Sequence, residues 1–140
     1  MITTPLDAVI DKLKAPPRVL VVEDDCVNRQ LARALLERVG CSDIREASTL
    51  DEAKEQCEEA DLILLDVRFP NSGAHFLEYL HGRNHQAMVV LVMAYDGPEL
   101  QSLLRGVGGY VKIISNPLSV KAVEDMLHDY RAASLVRSRW

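Results

Sequence analysis

No apolar run in this sequence approaches the eighteen or so residues that a helix needs to cross a bilayer, so a membrane span is not expected. Basic residues do not dominate either. Sixteen lysines and arginines stand against 21 aspartates and glutamates, a formal net charge of -5, and no basic patch is placed to follow a phosphate backbone. The most basic stretch is RAASLVRSRW at the end, and its arginines read as solvated. A direct nucleic-acid partner is therefore not expected. Cysteine is scarce: Cys26, Cys41 and Cys57 are odd in number, widely spaced and without a CxxC pair. That excludes a disulfide framework and suits reduced thiols in a cytoplasmic protein. The opening MITTPLDAVIDKLK lacks the cationic start and apolar stretch of a signal peptide, so export is not expected. Internal repeats and low-complexity segments are also missing.

What is present is enough for one domain with a sizeable core: 140 residues, 48% of them hydrophobic. Five short apolar runs recur, at 19–22 (VLVV), Ile44 to Ala47, 62–65 (LILL), 89–92 (VVLV) and Val111 to Ile114. Continuous runs without alternation suit strands buried on both faces, as in a parallel sheet. Helical periods lie between them. Val27, Leu31, Leu35 and Val39 fall at steps of four, with Gly40 as a stop. Thr49-Leu-Asp-Glu52 is a capping-box sequence ahead of Leu50, Ala53 and Cys57. Phe76, Leu77 and Leu80 mark a third helix, Asp96 to Glu99 opens a fourth, and Ser119 opens a fifth carrying Val120, Val123, Met126, Leu127 and Tyr130. His81 and His85 have metal-ligand spacing, but with Gly82 and Asn84 between them they read as a solvent-exposed pair at a helix end. Strand and helix alternating five times predict an α/β doubly wound parallel sheet with helices on both faces.

In such sheets ligands bind beyond the carboxyl ends of the strands. That is where RVLVVEDD places Glu23, Asp24 and Asp25, and where DLILLD places Asp66. Clustered like charges raise one another's pKa, so such a group calls for a cation or for open water. If the first and third strands are neighbours, two or three carboxylates share one small pocket, an oxygen donor set suited to Mg²⁺. A carboxylate beside such an ion can attack a phosphoryl group. The plainer alternative is a set of helix N-caps on a solvated rim. Asp25, close to the first helix, fits the cap reading; Asp24 and Asp66 together fit the site.

From Arg18 to Tyr130 the sequence resembles the receiver domains of two-component response regulators, chemotaxis-type receivers included, on the strength of VLVVEDDCVNRQLARALL and DLILLDVRFP. The resemblance implies a five-stranded (βα)5, flavodoxin-like sheet in the order 2-1-3-4-5. It implies Mg²⁺ held by Glu23, Asp24, Asp66 and the backbone carbonyl of Arg68. It makes Asp66 the phosphoacceptor, with Pro70 matching the family's proline four residues on.

Two places depart from the pattern. The family's hydroxyl at the end of strand 4 is replaced by Met93, whose thioether cannot donate to a phosphoryl oxygen. The family's lysine at the end of strand 5 falls on Asn116 when Asn116-Pro117 is matched, which puts Ile113 at the aromatic switch position. Matching Gly108-Gly109-Tyr110 instead makes Tyr110 the aromatic and puts Ile113 at the lysine position; Lys112 misses in both registers. The glycine after the acceptor matches Gly73 only with a one-residue deletion, and otherwise falls on Ala74.

The expected organisation is an N-terminal extension at 1–17, a receiver domain at 18–131 and a tail at 132–140. Within the extension, Pro5 to Lys14 can form an amphipathic helix with Leu6, Val9 and Leu13 on one side, ahead of a Pro16-Pro17 spacer. The expected function is cytoplasmic phosphorelay signalling rather than enzymatic turnover. Asp66 would accept a phosphoryl group from a sensor histidine kinase or phosphotransfer protein. Output would be protein contact, including homodimerisation, through the face of the fourth helix, fifth strand and fifth helix. The alternative is a pseudo-receiver that signals without phosphorylation. An Asp-nucleophile phosphatase is a third reading, disfavoured because Arg68 stands where haloacid-dehalogenase-type hydrolases carry a second Asp.

Overall fold

The computed structural model describes residues 16–66, 72–83, 87–93, 111–115 and 118–137. Each of the five apolar runs forms a strand: β1 (Val19–Val22), β2 (Ile44–Ala47), β3 (Leu62–Asp66), β4 (Met88–Met93) and β5 (Val111–Ser115). They pair in parallel in the order β2-β1-β3-β4-β5. Every residue of β1 and of β3 is buried, as expected of strands covered on both faces. At the edge, β2 is buried only at its ends, with Arg45 exposed and Glu46 half-buried.

Four described helices, α1 (Cys26–Arg38), α2 (Leu50–Gln56), α3 (Ser72–Gly82) and α4 (Val120–Arg137), cover the sheet. Alternation along the strands sorts the core into two layers. Val19, Val21, Leu62, Leu64 and Val90 pack with Ala32 and Leu36 of α1 and with Val123, Met126 and Leu127 of α4. On the other face Leu20, Val22, Ile63, Leu65 and Leu91 meet Ala53 of α2 and Phe76, Leu77 and Leu80 of α3. Each fully buried side chain of this kind stabilises the fold by about 1.5–3 kcal/mol.

The helix ends follow their sequence signals. Gly40 takes φ +102°, its N–H bonds the Glu37 carbonyl at 3.1 Å, and the Cys41 N–H reaches back to Leu36 at 3.0 Å. These are the two bonds of a Schellman cap, with Cys41 packed in the same core layer as Leu36. Thr49 caps α2 by accepting from the Glu52 N–H at 3.1 Å. Glu52 returns to the Ser48 N–H at 2.8 Å, one residue ahead of the reciprocal bond a capping box implies. Ser119 caps α4 through the Ala122 N–H at 3.1 Å.

Two expectations change. Only half of the row Val27, Leu31, Leu35, Val39 meets the core: Val27 is 71% and Leu31 42% exposed, Leu35 and Val39 are half-buried against it, and Ala32 and Leu36 are the buried contacts of α1. Steps of four in a 3.6-residue turn drift by about 40° each, so the row starts on the exposed side at Val27 and turns toward the core by Leu35 and Val39. The last helix continues through Arg137, so most of the tail expected from 132 is helical. The N-terminal amphipathic segment and the capped start at Asp96 lie outside the described residues.

Candidate functional site

Strand register assembles the site. Val22 ends β1 beside Leu65 of β3, so the chain leaves both strands at one edge, with Glu23 and Asp66 as near neighbours. The Glu23 N–H continues the ladder by bonding Ala47 O at 3.0 Å. One carboxylate oxygen from each of Glu23, Asp24 and Asp66 lies within 4.8 Å of the others. Glu23 and Asp66 are buried, at 7% and 4% exposure, and Asp24 is exposed. Asp25 stands apart from this group. Its Oδ1 accepts from the N–H groups of Val27 at 2.8 Å and Asn28 at 3.3 Å, which makes it the N-cap of α1.

The electrostatics mark the cluster as short of positive charge. Burial, then the hydrogen bond to Asp66, push the Glu23 carboxyl up to about 8, against one bond from the Asp25 N–H at 3.0 Å that favours the ionised form. A group that must hold a proton to sit beside its neighbours is one a divalent cation can replace the proton on. Three carboxylates converging on one point, all hard oxygen donors, fit Mg²⁺. Beside them a small cleft, open to solvent, is lined by Asn28, Leu31, Ala32, Val92 and Leu118 together with Glu23 and Asp66.

Two arginines that the sequence did not single out surround the acid turn. Arg29 donates from Nη1 to the carbonyls of Glu23 at 2.9 Å and Asp24 at 3.3 Å. Its Nε faces Glu46 of β2 at 3.3 Å, and Arg33 pairs with the same carboxylate at 2.7 Å. Their sequence signal was slight: an arginine one turn into the helix after the acids, and a glutamate inside a short strand.

Of the other positions, Met93 closes β4 opposite Ser115, the last residue of β5. Lys112 sits inside β5, paired with Val90, short of the strand end. Arg68, Tyr110 and Asn116 lie outside the described residues, as do Pro70 and His85. His81 is exposed on the last turn of α3. None of the three cysteines is in a disulfide, and burial pushes the thiols of Cys41 and Cys57 up, away from thiolate chemistry.

A family model described as the response regulator receiver domain matches residues 19–128. The chain belongs to the response regulator receiver domain family. This receiver domain is 32% identical over 123 residues to the polar-differentiation response regulator DivK of Brucella anthropi, an alignment covering 81% of the chain and 98% of that protein. Among solved structures it is similar to the Vibrio cholerae chemotaxis protein CheY4, with TM-score 0.71 and 22% identity over 83% of this chain and 99% of that one. The receiver domain of NtrX from Brucella abortus aligns with TM-score 0.69 and 22% identity, covering 81% and 98% respectively. At these identities the two structures speak to the fold. Receiver domains bind Mg²⁺ in an acidic pocket, and the Glu23, Asp24 and Asp66 cluster is the acidic group at that place in this one. Among the described residues, no helix of this receiver domain is long and apolar enough to cross a membrane.

Proposed function

We propose that this receiver domain accepts a phosphoryl group on Asp66 from a histidine kinase or phosphotransfer protein and signals through protein contact in the cytoplasm. The observation that carries this is the convergence of three carboxylates from two strand ends within 4.8 Å, with Glu23 and Asp66 buried. An Asp66 carboxylate oxygen attacks the phosphorus of a phosphohistidine. The new O–P bond forms as the P–N bond breaks, the electron pair returns to the imidazole, and Asp66 becomes an acyl phosphate. Glu23, Asp24, Asp66 and the carbonyl of Arg68 would hold a divalent ion, which would supply the charge that offsets repulsion between carboxylate and phosphoryl oxygens. Glu23 and Asp24 gather that charge at the strand edge. The buried position of Asp66 keeps its carboxylate partly desolvated beside the open cleft.

A second reading is favoured by one position. Met93 ends β4 at the site edge, where the family's hydroxyl would bond the phosphoryl oxygen, and a thioether has no proton to offer. A pseudo-receiver, retaining the acids as a metal site and signalling without phosphorylation, would have no use for that hydroxyl. Asn116 at the lysine position points the same way.

The two readings separate by intact mass after incubation with Mg²⁺ and a small phosphodonor. A single phosphoryl adduct on the native chain, absent from Asp66→Asn and from a chelated control, supports phosphoacceptance. A folded native chain that takes no adduct, from the small donor or from a phosphorylated kinase, leaves the pseudo-receiver.

A further inference from the structure

The acid turn is held from outside itself. Glu23 is tied at its N–H to Ala47 O and at Oε1 to the Asp25 N–H, and the Arg29 guanidinium bonds its carbonyl. The same nitrogen reaches the carbonyl of Asp24, the exposed member of the cluster. Arg29 is itself anchored. Its N–H bonds Asp25 O at 2.9 Å within the first turn of α1, and its side chain is only 20% exposed. Glu46 is its counterpart on the sheet. Register sets Glu46 beside Val21, on the face that α1 covers, and Gln56 bonds the Glu46 carbonyl at 2.9 Å.

A guanidinium this close to a cation site would ordinarily repel the ion. Here its charge is cancelled, because Arg29, Arg33, Glu46 and Glu37 form a chain of two cations and two anions with contacts of 2.7–3.4 Å. Arg33 sits one turn further along α1. It shares Glu46 through Nε but sends Nη2 to Ile44 O at 2.7 Å, at the start of β2 and away from the acids. The two arginines therefore hold α1 to β2 in the same way, and only Arg29 also grips the turn that carries Glu23 and Asp24.

We propose that Arg29 is a positioning residue that sets the divalent-ion affinity of the acid cluster, by fixing the main chain of Glu23 and Asp24 while Glu46 neutralises its charge. This rests on the reading of the cluster as a cation site. Arginine suits the task because its planar fork serves two carbonyls and a carboxylate at once, which an ammonium cannot do in one geometry. Partners behind metal ligands typically govern affinity in this way.

The test compares Arg29→Gln with Arg33→Gln in the whole chain, with Mg²⁺ alone as the probe. Affinity is read from a titration of backbone amide shifts, and order in the turn from hydrogen exchange at the Asp25 amide in chelated protein. Arg29→Gln is expected to weaken Mg²⁺ about tenfold and to speed exchange at Asp25. Arg33→Gln is expected to lose comparable stability and keep the native affinity. Native affinity in Arg29→Gln would overturn the proposal, as would an equal weakening in Arg33→Gln, which would mean a general loosening of α1. Should Arg29→Gln fail to fold, Glu46→Gln carries the test: weakened binding supports the proposal, and unchanged binding overturns it. A native chain that does not bind Mg²⁺ removes the cation-site reading itself, and the role of Arg29 with it. Native binding with an indifferent Arg29→Gln removes only the latter.

Discussion

Replacing Glu23 with glutamine should stabilise the metal-free protein at pH 8 and leave it unchanged well below pH 4.5. Glu23 is 7% exposed, and burial beside Asp66 pushes its carboxyl from 4.5 up to about 8. Below about pH 4.5 the proton is bound in both folded and unfolded chains, and nothing is lost. Between there and pH 8 the folded chain holds a proton that the unfolded chain has released, so stability falls as pH rises. The full shift would correspond to about 4–5 kcal/mol, and solvent in the open cleft reduces this to roughly 2–3 kcal/mol. Glutamine keeps the shape and can donate to Asp66, so it escapes that loss. At pH 8 with chelator, Glu23→Gln should melt about 5–10 °C above the native chain. Saturating Mg²⁺ should raise the native chain toward or past the variant and move the variant less. Denaturant melts at pH 5, 6.5 and 8, with and without Mg²⁺, measure all of this. Equal pH slopes for the two chains, or a variant less stable at pH 8, would refute the electrostatic account of the site.

Further outcomes follow from single contacts. Asp25→Ala removes the cap of α1 and should cost about 1 kcal/mol in denaturant melts while Mg²⁺ still binds, whereas Asp25→Asn should cost little; loss of Mg²⁺ binding in either would make Asp25 a ligand. Gly40→Ala should destabilise by about 1–2 kcal/mol through the backbone alone, since a Cβ there meets nothing within 4 Å, and a neutral result would contradict the positive φ. Leu36→Ala, at a fully buried position, should cost about 2–5 kcal/mol, against less than 1 kcal/mol for Leu31→Ala on the exposed side of the same helix.

The sheet was legible because burial on both faces leaves a direct trace in sequence. VLVV and LILL are uninterrupted apolar segments, and each proved to be a strand with every residue buried. Gly40, Thr49 and Ser119 were legible for a similar reason: each answers a local backbone need. The acid group was legible as a place, since a parallel sheet brings its strand ends to one edge. What the sequence did not carry is direction around α1. Val27 and Leu31 share the hydrophobic character of Leu36, and only the 3.6-residue turn separates the exposed row from the buried one. The Arg29–Glu46–Arg33 chain was hidden too, because it joins a helix to an edge strand through long side chains that follow no period.

The most direct measurement is of which side chain carries the phosphoryl group. Chain phosphorylated in the presence of Mg²⁺ would be reduced with borohydride, which converts an aspartyl phosphate to homoserine, then digested and sequenced by tandem mass spectrometry. The account predicts homoserine at position 66 and nowhere else, and none in chelated protein. Modification at Glu23, Asp24 or a histidine, or an unmodified Asp66 in folded, Mg²⁺-bound protein exposed to a phosphorylated kinase, would contradict it.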